Sequence, residues 1–265
     1  MPARRPPRHD HDAGGDPSLL DAKAALRDEV WTALRDARAA RFPGAFGRIP
    51  NVVGAEAAAE RLRQTEQWRR ASTIKSNPDA PQWPVRQRAL EDSKRVFMAV
   101  PRLAGRDPFL LLDPATLTVR PRAASSIKGA TDHARPVPVS ALDPVDLVVT
   151  GCVAVDPTGA RLGKGGGFSD LEFAIATEAG LIDDDTVVVT TVHELQVLDP
   201  GRIPMSGHDV PLELIVTPER IIECSRSRPR ASGIAWDDLT PEKIAAIPLL
   251  GELRKRATRA RPRRR

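Results

Sequence analysis

Tyrosine is absent from this chain of 265 residues, which also contains only six phenylalanines and four tryptophans. Aromatic walls for a flat ligand must therefore come from very few positions. Cysteine is nearly as scarce, because Cys152 and Cys224 are the only two and neither belongs to a CxxC pair. Two such residues exclude a disulfide framework and a cysteine-bound zinc site. We expect both to be buried thiols.

Long apolar runs are missing as well. No stretch approaches the roughly 18 to 20 apolar residues that a membrane-spanning helix needs. The first 17 residues, rich in proline, glycine and charge, lack the apolar stretch of a signal peptide. We therefore expect a cytoplasmic protein. With 41% hydrophobic and 28% charged residues, the composition fits one sizeable globular core.

Basic residues exceed acidic ones only because of the end of the chain. The last twelve residues contain eight basic groups, and removing them takes the formal net charge from +5 to −3. Such an arginine block is typical of a solvated, disordered tail, and the alternative is an arm that makes weak, salt-sensitive contacts with nucleic acid. The sequence thus divides into a disordered leader (1–17), one domain (18–253) and a basic disordered tail (254–265).

Apolar residues at helical spacing predict a helix over residues 21–40, with Asp21 as its N-cap. The buried face of this helix should consist of Leu26, Val30, Trp31 and Leu34. A second helix is predicted over residues 55–63. Residues 240–242 (TPE) have the pattern of an N-cap, a first-turn proline and an acid, and Pro248 should kink or end the helix that they begin.

Four continuous apolar runs have the composition of β-strands. They do not alternate with polar residues, and strands that are apolar on both sides are typical of a parallel sheet covered by helices. A helical stretch, residues 171–180, lies between two of the runs. The sequence therefore predicts an α/β fold with a layered, largely parallel sheet and helices on both faces. The runs are residues 95–100, 145–155, 186–192 and 212–217.

The segment RLGKGGGFSD, residues 161–170, contains four glycines and two cations. It lies between a strand-like run and a helical stretch, and exposed backbone amides at the start of a helix form an anion site, so we expect phosphate. A P-loop is excluded because Lys164 is followed by Gly165, and a dinucleotide fingerprint is excluded because Phe168 stands where its third glycine belongs. The alternative is a flexible turn in which Arg161 and Lys164 are solvated.

Two cations on the first helix point to the same ligand. Lys23 and Arg27 are four residues apart, so they lie on one side of the helix, where like charges cost a few tenths of a kcal/mol. An anion between them would offset that cost. The alternative is a solvated face moderated by Asp28 and Glu29.

Three segments of the chain resemble the 5-formyltetrahydrofolate cyclo-ligase family, whose members are also called methenyltetrahydrofolate synthetases. They are KAALR (23–27), RLGKGGGFSD (161–170) and HDVPLELIVTP (208–218), in the order and spacing of the family. Further stretches are similar to the methenyltetrahydrofolate synthetase domain-containing subgroup. These are residues 48–62, 74–90, 169–174 and 190–197. The resemblance spans residues 20–255.

The resemblance implies an enzyme that converts 5-formyltetrahydrofolate to 5,10-methenyltetrahydrofolate with ATP and Mg²⁺, on a fold resembling the NagB/RpiA/CoA-transferase group. It places Lys23 and Arg27 on the ATP phosphates, and we expect Arg161 and Lys164 to act catalytically on the transferring phosphoryl group. The nucleotide loop implied by the resemblance comprises Arg161, Leu162, Gly163, Lys164, Gly165, Gly166, Gly167, Phe168 and Ser169.

Asp170 and Asp209 match the two positions that the family assigns to Mg²⁺, a hard cation held by one or two carboxylates plus phosphate oxygens. A helix N-cap for Asp170 and a turn for Asp209 are the alternatives. In the implied reaction the formyl oxygen attacks the γ-phosphate of ATP, N10 attacks the phosphorylated intermediate, and phosphate leaves as the ring closes. No covalent nucleophile of the enzyme is needed, and we assign no chemical role to His193 or His208.

The sequence departs from the family on the folate side. Residues 168–171 read FSDL where the family has Tyr-Tyr-Asp-Arg, and the acid that the family uses near the folate has no clear counterpart in residues 51–54. Phe168 and Trp83 are the available walls for a pteridine. Two alternatives stay open: a paralogue that keeps the nucleotide site but serves another substrate, for example in thiamine-related metabolism, and a non-catalytic module that contacts RNA through the tail.

Overall fold

The computed structural model describes residues 17–100, 103, 107–225, 229–230 and 232–260, which form nine α-helices and ten strands. The helices are α1 (Pro17–Asp36), α2 (Ala55–Arg63), α3 (Glu66–Arg70), α4 (Trp83–Glu91), α5 (Pro121–Ala124), α6 (Ile127–His133), α7 (Phe168–Glu178), α8 (Pro241–Ala246) and α9 (Pro248–Ala260). The strands are β1 (Thr73–Ser76), β2 (Arg95–Ala99), β3 (Phe109–Leu112), β4 (Arg135–Val137), β5 (Leu147–Val149), β6 (Ala154–Val155), β7 (Arg161–Leu162), β8 (Val187–Thr191), β9 (Leu214–Val216) and β10 (Ile221–Glu223).

An eight-stranded sheet organises the fold, in the order β10-β9-β8-β5-β1-β2-β3-β4. The central strands β9, β8, β5, β1 and β2 run parallel to one another, and β10, β3 and β4 add antiparallel edges. From β1 the chain passes to β2 on one side, whereas β5, β8 and β9 follow on the other side. The pair β1 and β5 is therefore the topological switch point, where ligands bind in open α/β sheets.

Helices cover both faces of this sheet because alternate residues of the apolar strands point to opposite sides. On one face, Ile74 and Val96 pack in a cluster with buried residues of α2 to α6. On the other face, Phe97 packs with α7 and with Leu250 of α9, and Val148 packs with Phe173 of α7. The predicted α/β sheet, largely parallel and covered on both faces, is confirmed.

A small hairpin connects the sheet to the glycine-rich segment. Strands β6 and β7 pair antiparallel, with Ala154 opposite Leu162, and these two residues pack in one cluster with Leu26 and Leu34 of α1. The predicted strand over 145–155 is therefore two strands, β5 and β6, separated by the bend at residues 150–153. As a result, the glycine-rich segment follows β7 of the hairpin and not a strand of the main sheet.

Most predicted element positions agree with the structure. Helix α2 has the predicted bounds, and Thr240 caps α8 by accepting a hydrogen bond from the Lys243 amide. Asp21 is not the N-cap of α1, because the helix already begins at Pro17, a residue suited to a first turn. The same helix ends at Asp36 and not at residue 40, since Arg38 has a left-handed φ of 54°.

The domain division stays a prediction. Helix α9 continues to Ala260, so the boundary placed after residue 253 falls inside a helix. Residues 1–16 of the leader and 261–265 of the tail lie outside the described residues. Both cysteines are free; Cys152 is buried, whereas Cys224 is half-buried, and burial raises its pKa to about 12. None of the described helices has the length and apolar character to cross a bilayer.

Candidate active site

The glycine-rich loop, residues 163–167, connects β7 to α7. Gly165 has φ +106° and Gly167, the N-cap residue of α7, has φ +61°. L-residues with a side chain rarely adopt these left-handed conformations, so glycine is needed at both positions. A Cβ on Gly165 would also lie 3.4 Å from the Arg27 guanidinium carbon. The Arg27 guanidinium therefore packs closely against the loop backbone at the start of a helix, an arrangement expected for an anion site.

Helix α1 brings its two cations to this loop. Arg27 Nε donates a hydrogen bond to the carbonyl oxygen of Gly163 at 2.7 Å, across 136 residues of sequence. Lys23 Nζ donates to Asp209 Oδ2 at 2.6 Å, and both side chains are nearly buried. The structure thus brings together the three segments on which the family resemblance depends, and the solvated-face alternative for Lys23 and Arg27 is wrong.

The two acids are each paired with a cation. Asp170 Oδ1 accepts hydrogen bonds from the Arg161 guanidinium and from the Val210 amide. Asp209 Oδ2 accepts one from the Ser206 amide at 2.6 Å in addition to Lys23. Burial alone would raise the pKa of the Asp209 carboxyl, but the charge and hydrogen bond of Lys23 lower that pKa below its ordinary value. Asp170 therefore binds Arg161 rather than capping α7, and Asp209 closes a turn while facing Lys23.

Arg161 occupies a buried position on β7. Its Nε donates to the Val210 carbonyl at 3.0 Å, and its side chain is 2% exposed. Burial would lower the pKa of the guanidinium, whereas the Asp170 carboxylate more than compensates and raises it. The predicted catalytic role of Arg161 stays a prediction; its contacts add a role in fixing Asp170 and the segment that carries Asp209.

These groups line one pocket. One part is polar and contains the loop, the α1 cations and the paired acids. The other part is apolar and is formed by α1, α7 and the C-terminal segment. Such a pocket suits a ligand with an anionic end and a flat apolar end. The lining residues outside the loop include Leu19, Leu20, Lys23, Arg27, Arg161, Asp170, Leu171, Ser206, His208, Asp209, Ile234, Asp238, Leu239 and Lys243.

Several residues predicted for the nucleotide loop are not among the residues that line the pocket. Of the predicted set, five residues line the pocket: Arg161, Leu162, Gly163, Gly165 and Gly167. The other four described residues, Lys164, Gly166, Phe168 and Ser169, are not among its lining residues. Lys164 is half-exposed with its Nζ 3.6 Å from Asp79 Oδ1, and Ser169 Oγ lies 2.8 Å from Thr150 Oγ1.

The two carboxylates fit a magnesium ion that also binds phosphate. Asp170 and Asp209 each use a single oxygen for the contacts described above, which leaves Oδ2 of Asp170 and Oδ1 of Asp209 as possible ligands. Within the described part of the chain, no group of three or more His, Cys, Asp or Glu residues is arranged to hold a metal. A cation that needs only one or two carboxylates and takes its other ligands from phosphate and water matches this donor set.

Comparison with known proteins agrees with this geometry. The sequence model of the 5-formyltetrahydrofolate cyclo-ligase family matches residues 20–218. The chain belongs to this family. The resemblance read from the three motifs is therefore confirmed.

Curated relatives support the same grouping. A methenyltetrahydrofolate synthase domain-containing protein from Bos taurus is 37% identical over 243 residues, which is 90% of this chain and 63% of that protein. A 5-formyltetrahydrofolate cyclo-ligase from Escherichia coli K12 is 31% identical over 142 residues, covering 53% of this chain and 72% of the relative. The chain thus spans less than two thirds of the Bos taurus protein. An NMR structure of Aquifex aeolicus 5,10-methenyltetrahydrofolate synthetase is 19% identical and superposes with a TM-score of 0.49. The superposition includes 81% of this chain and 98% of that protein.

This member of the cyclo-ligase family has a second group of polar residues, which lies at the switch point between β1 and β5. Lys75 and Glu172 form a buried ion pair at 2.8 Å, and Asn77 Nδ2 also donates to Glu172. Arg86 is fully buried and donates to the carbonyls of Asn77 and Asp79, and burial lowers its pKa to about 10. These contacts fix the residues that follow β1 against α7, the helix that begins at the glycine loop.

Gln82 is the exceptional residue of this group. Its side chain is wholly buried, and neither its Oε1 nor its Nε2 has a hydrogen-bond partner in the structure. The Oε1 atom would lie 3.1 Å from a Cβ on Gly151, which is two residues beyond the end of β5. An unpaired buried amide costs about 1–3 kcal/mol, so a partner is expected when the protein works.

Sequence reasoning missed the contribution of the C-terminal segment to the pocket. His208 Nδ1 lies 2.9 Å from Asp238 Oδ2, and Lys243 Nζ donates to the Gly166 carbonyl across 77 residues of sequence. Neither pair has a spacing signal, because both contacts form only when the C-terminal segment packs against distant parts of the chain. The predicted pteridine wall Trp83 lies elsewhere, with its Nε1 donating to the Arg122 carbonyl and Ser125 Oγ.

Proposed function

We propose that this chain is an ATP-dependent 5-formyltetrahydrofolate cyclo-ligase that forms 5,10-methenyltetrahydrofolate, ADP and phosphate. The observation that carries the proposal is the meeting of Lys23, Arg27 and Asp209 with the glycine loop in one pocket, in a chain that belongs to this family.

The polar part of the pocket supplies what a triphosphate needs. Backbone amides of the loop, the N-terminus of α7 and the Arg27 guanidinium all present positive charge at one place. Arg27 donates a hydrogen bond to a loop carbonyl, so the guanidinium charge lies beside the loop backbone. A phosphate oxygen bound there can accept hydrogen bonds from the other N–H groups of Arg27. The apolar part of the pocket, with Leu19, Ile234 and Leu239, then faces the base.

Mg²⁺ is part of this proposal. Asp170 and Asp209 would hold it through their remaining carboxylate oxygens, and the ion would neutralise charge on the transferring phosphoryl group. Lys23 and Arg161 fix the two carboxylates in place.

We place the folate at the switch point, on the other side of the glycine loop. Gln82 offers an adjacent donor and acceptor there, which matches the lactam edge of a pteridine. Lys164 lies between the two substrates, because the loop that carries it borders the nucleotide pocket and its ammonium group is beside Asp79. This position suits a cation that stabilises the phosphoryl group as it passes from ATP to the formyl oxygen.

The proposed reaction needs positioning more than covalent chemistry. The formyl oxygen bonds to the γ-phosphorus as ADP leaves, N10 then attacks the activated carbon, and phosphate departs with that oxygen while N10 loses its proton. Loop amides, Arg27 and Lys164 stabilise the negative charge on the transferring group. These steps require no side-chain nucleophile.

The direct test is the near-ultraviolet absorbance of the methenyl product after 5-formyltetrahydrofolate, Mg²⁺ and ATP are added to purified protein. We expect product with the parent chain and a kcat about 100-fold lower with Lys164→Ala, the size typical of losing one transition-state contact. Lys164 is half-exposed, so its replacement should leave the fold intact. Absence of product from the folded parent chain would contradict the proposal.

The companion variant in this assay is Gln82→Leu, which removes the unpaired amide at nearly constant volume. We expect the free energy of unfolding to rise by about 1 kcal/mol, because an unsatisfied buried polar group is lost, and the KM for the folate to rise about tenfold, equal to about 1.4 kcal/mol. Gln87→Leu, whose amide bonds Glu91 on the outer side of α4, is the matched control. A variant of lower stability with an unchanged KM would argue against the folate position.

One observation favours a second candidate function. Trp83, predicted as a pteridine wall, packs against α5, so the aromatic lining expected for folate is reduced. A paralogue that binds the nucleotide but acts on another substrate, as in thiamine-related metabolism, fits that arrangement; ATP binding without methenyl product would support it. The kinship with the NagB/RpiA/CoA-transferase group, the cytoplasmic location and weak nucleic-acid contact through the tail stay predictions.

A further inference from the structure

We propose that Lys243, from the C-terminal segment, is a further phosphate-binding residue of the nucleotide site. The segment of residues 232–260 lies beyond the family match at residues 20–218. Even so, it forms one wall of the pocket through residues that include Ile234, Leu239 and Lys243. This inference rests on the proposed function, because it assigns a ligand group to the same pocket.

Local structure fixes the direction of the Lys243 side chain. Thr240 caps α8 and accepts from the Lys243 amide at 3.2 Å, which sets the helical position of Lys243. Its Nζ then lies 5.5 Å above the centre of the Phe168 ring and donates to the Gly166 carbonyl at 3.3 Å. Phe168 in turn lies against Gly166, where a Cβ would be only 3.0 Å from the ring. The ammonium group is therefore held at the loop by an aromatic face and a backbone carbonyl.

The loop thus lies between two cations from distant parts of the chain. Arg27 of α1 binds the carbonyl of Gly163, and Lys243 of α8 binds that of Gly166, three residues further on. Among the acids that line the pocket, Asp209 pairs with Lys23, Asp170 pairs with Arg161, and Asp238 Oδ2 lies 2.9 Å from His208 Nδ1.

A polyphosphate on the loop amides would therefore lie within the field of both Arg27 and Lys243. A hydrogen bond of 3.3 Å to a neutral carbonyl is long for a lysine, and an anionic phosphate oxygen forms a shorter and stronger bond with an ammonium group. The ligand class that fits is a nucleoside di- or triphosphate, with its phosphates between Arg27 and Lys243.

The experiment is calorimetric titration of the full chain with ATP and with AMP. We compare the parent chain with Lys243→Met, which keeps the aliphatic stem on Phe168, with Lys243→Arg, and with Lys255→Met, an exposed lysine of the same segment. Lys243→Met should weaken ATP binding at least about tenfold and AMP binding less than about twofold, because a single phosphate makes fewer contacts with the loop. Lys243→Arg should stay within about threefold of the parent chain, because it keeps the charge, and Lys255→Met should not differ.

The outcomes separate this inference from the proposed function. If the parent chain binds ATP and Lys243→Met binds it equally well, the inference is wrong and the proposed function stands. Equal weakening of ATP and AMP would show that Lys243 shapes the pocket without contacting phosphate, and would also overturn the inference. If the parent chain binds no ATP, the proposed function is wrong, and the inference that rests on it is wrong as well.

Discussion

Replacing Lys75 with methionine is expected to lower the free energy of unfolding by about 3–5 kcal/mol, because Glu172 would stay buried without its charge partner. The ion pair is 2.8 Å long, and its two side chains are 2% and 7% exposed. It joins β1 to α7, directly below the glycine loop. Urea unfolding followed by circular dichroism measures the effect.

The control for this prediction is the double variant Lys75→Met/Glu172→Leu. Replacing both partners by apolar residues of similar size is often neutral, so the double variant should recover most of the loss. Lys128→Met, which breaks an exposed helical pair with Asp132, should change stability by less than about 0.5 kcal/mol. A single variant as stable as the parent chain would show that the Lys75–Glu172 pair does not hold the switch point together.

Replacing Arg27 with alanine is expected to weaken ATP binding by about 10- to 100-fold. The variant loses a charge-assisted contact with phosphate, which contributes about 1.5–3 kcal/mol. It also loses the bond to the Gly163 carbonyl and the guanidinium packed against Gly165. Calorimetric titration measures the affinity directly, and the salt dependence should decrease in the variant because one cation fewer faces the phosphates.

Arg35→Ala is the matched control for Arg27. Arg35 lies two turns further along α1 and is exposed, and its guanidinium contacts Asp36 and the Phe46 ring, not the glycine loop. It should bind ATP as the parent chain does. If Arg27→Ala and Arg35→Ala have the same affinity as the parent chain, the side of α1 that faces the loop does not bind the nucleotide.

The sequence predicted the elements whose signal is local. Apolar runs located β2, β8 and β9, because continuous apolar residues in short segments suit strands of a covered parallel sheet. The strand over 145–155 was wrong as a single element, because the chain bends at residues 150–153, where Thr150 and Gly151 interrupt the apolar residues. The start of α1 was missed because Asp21 is a good N-cap by type, while Pro17 suits the first turn equally well.

The sequence predicted only those site residues that belong to recognisable motifs. Lys23, Arg27, Asp209 and the glycine loop were identified because the family resemblance includes their spacing, and the structure brings them together. Lys243, Asp238 and Gln82 carry no such signal: a lysine in a helix, an acid in a turn and a glutamine after a proline are common surface residues. Their positions follow from packing between distant segments, which no local pattern encodes.

The central claim is that the backbone of the glycine loop binds the phosphates of a nucleotide. Nuclear magnetic resonance of the chain labelled with ¹⁵N-glycine tests it directly, because four of the 18 glycines, at positions 163, 165, 166 and 167, belong to the loop. We expect these four amide signals to shift when ATP and Mg²⁺ are added and to shift much less with AMP, while Gly44 and Gly180, in turns at other places of the fold, stay unchanged. Loop signals that remain fixed while ATP binds, or that move equally with AMP, would contradict the claim.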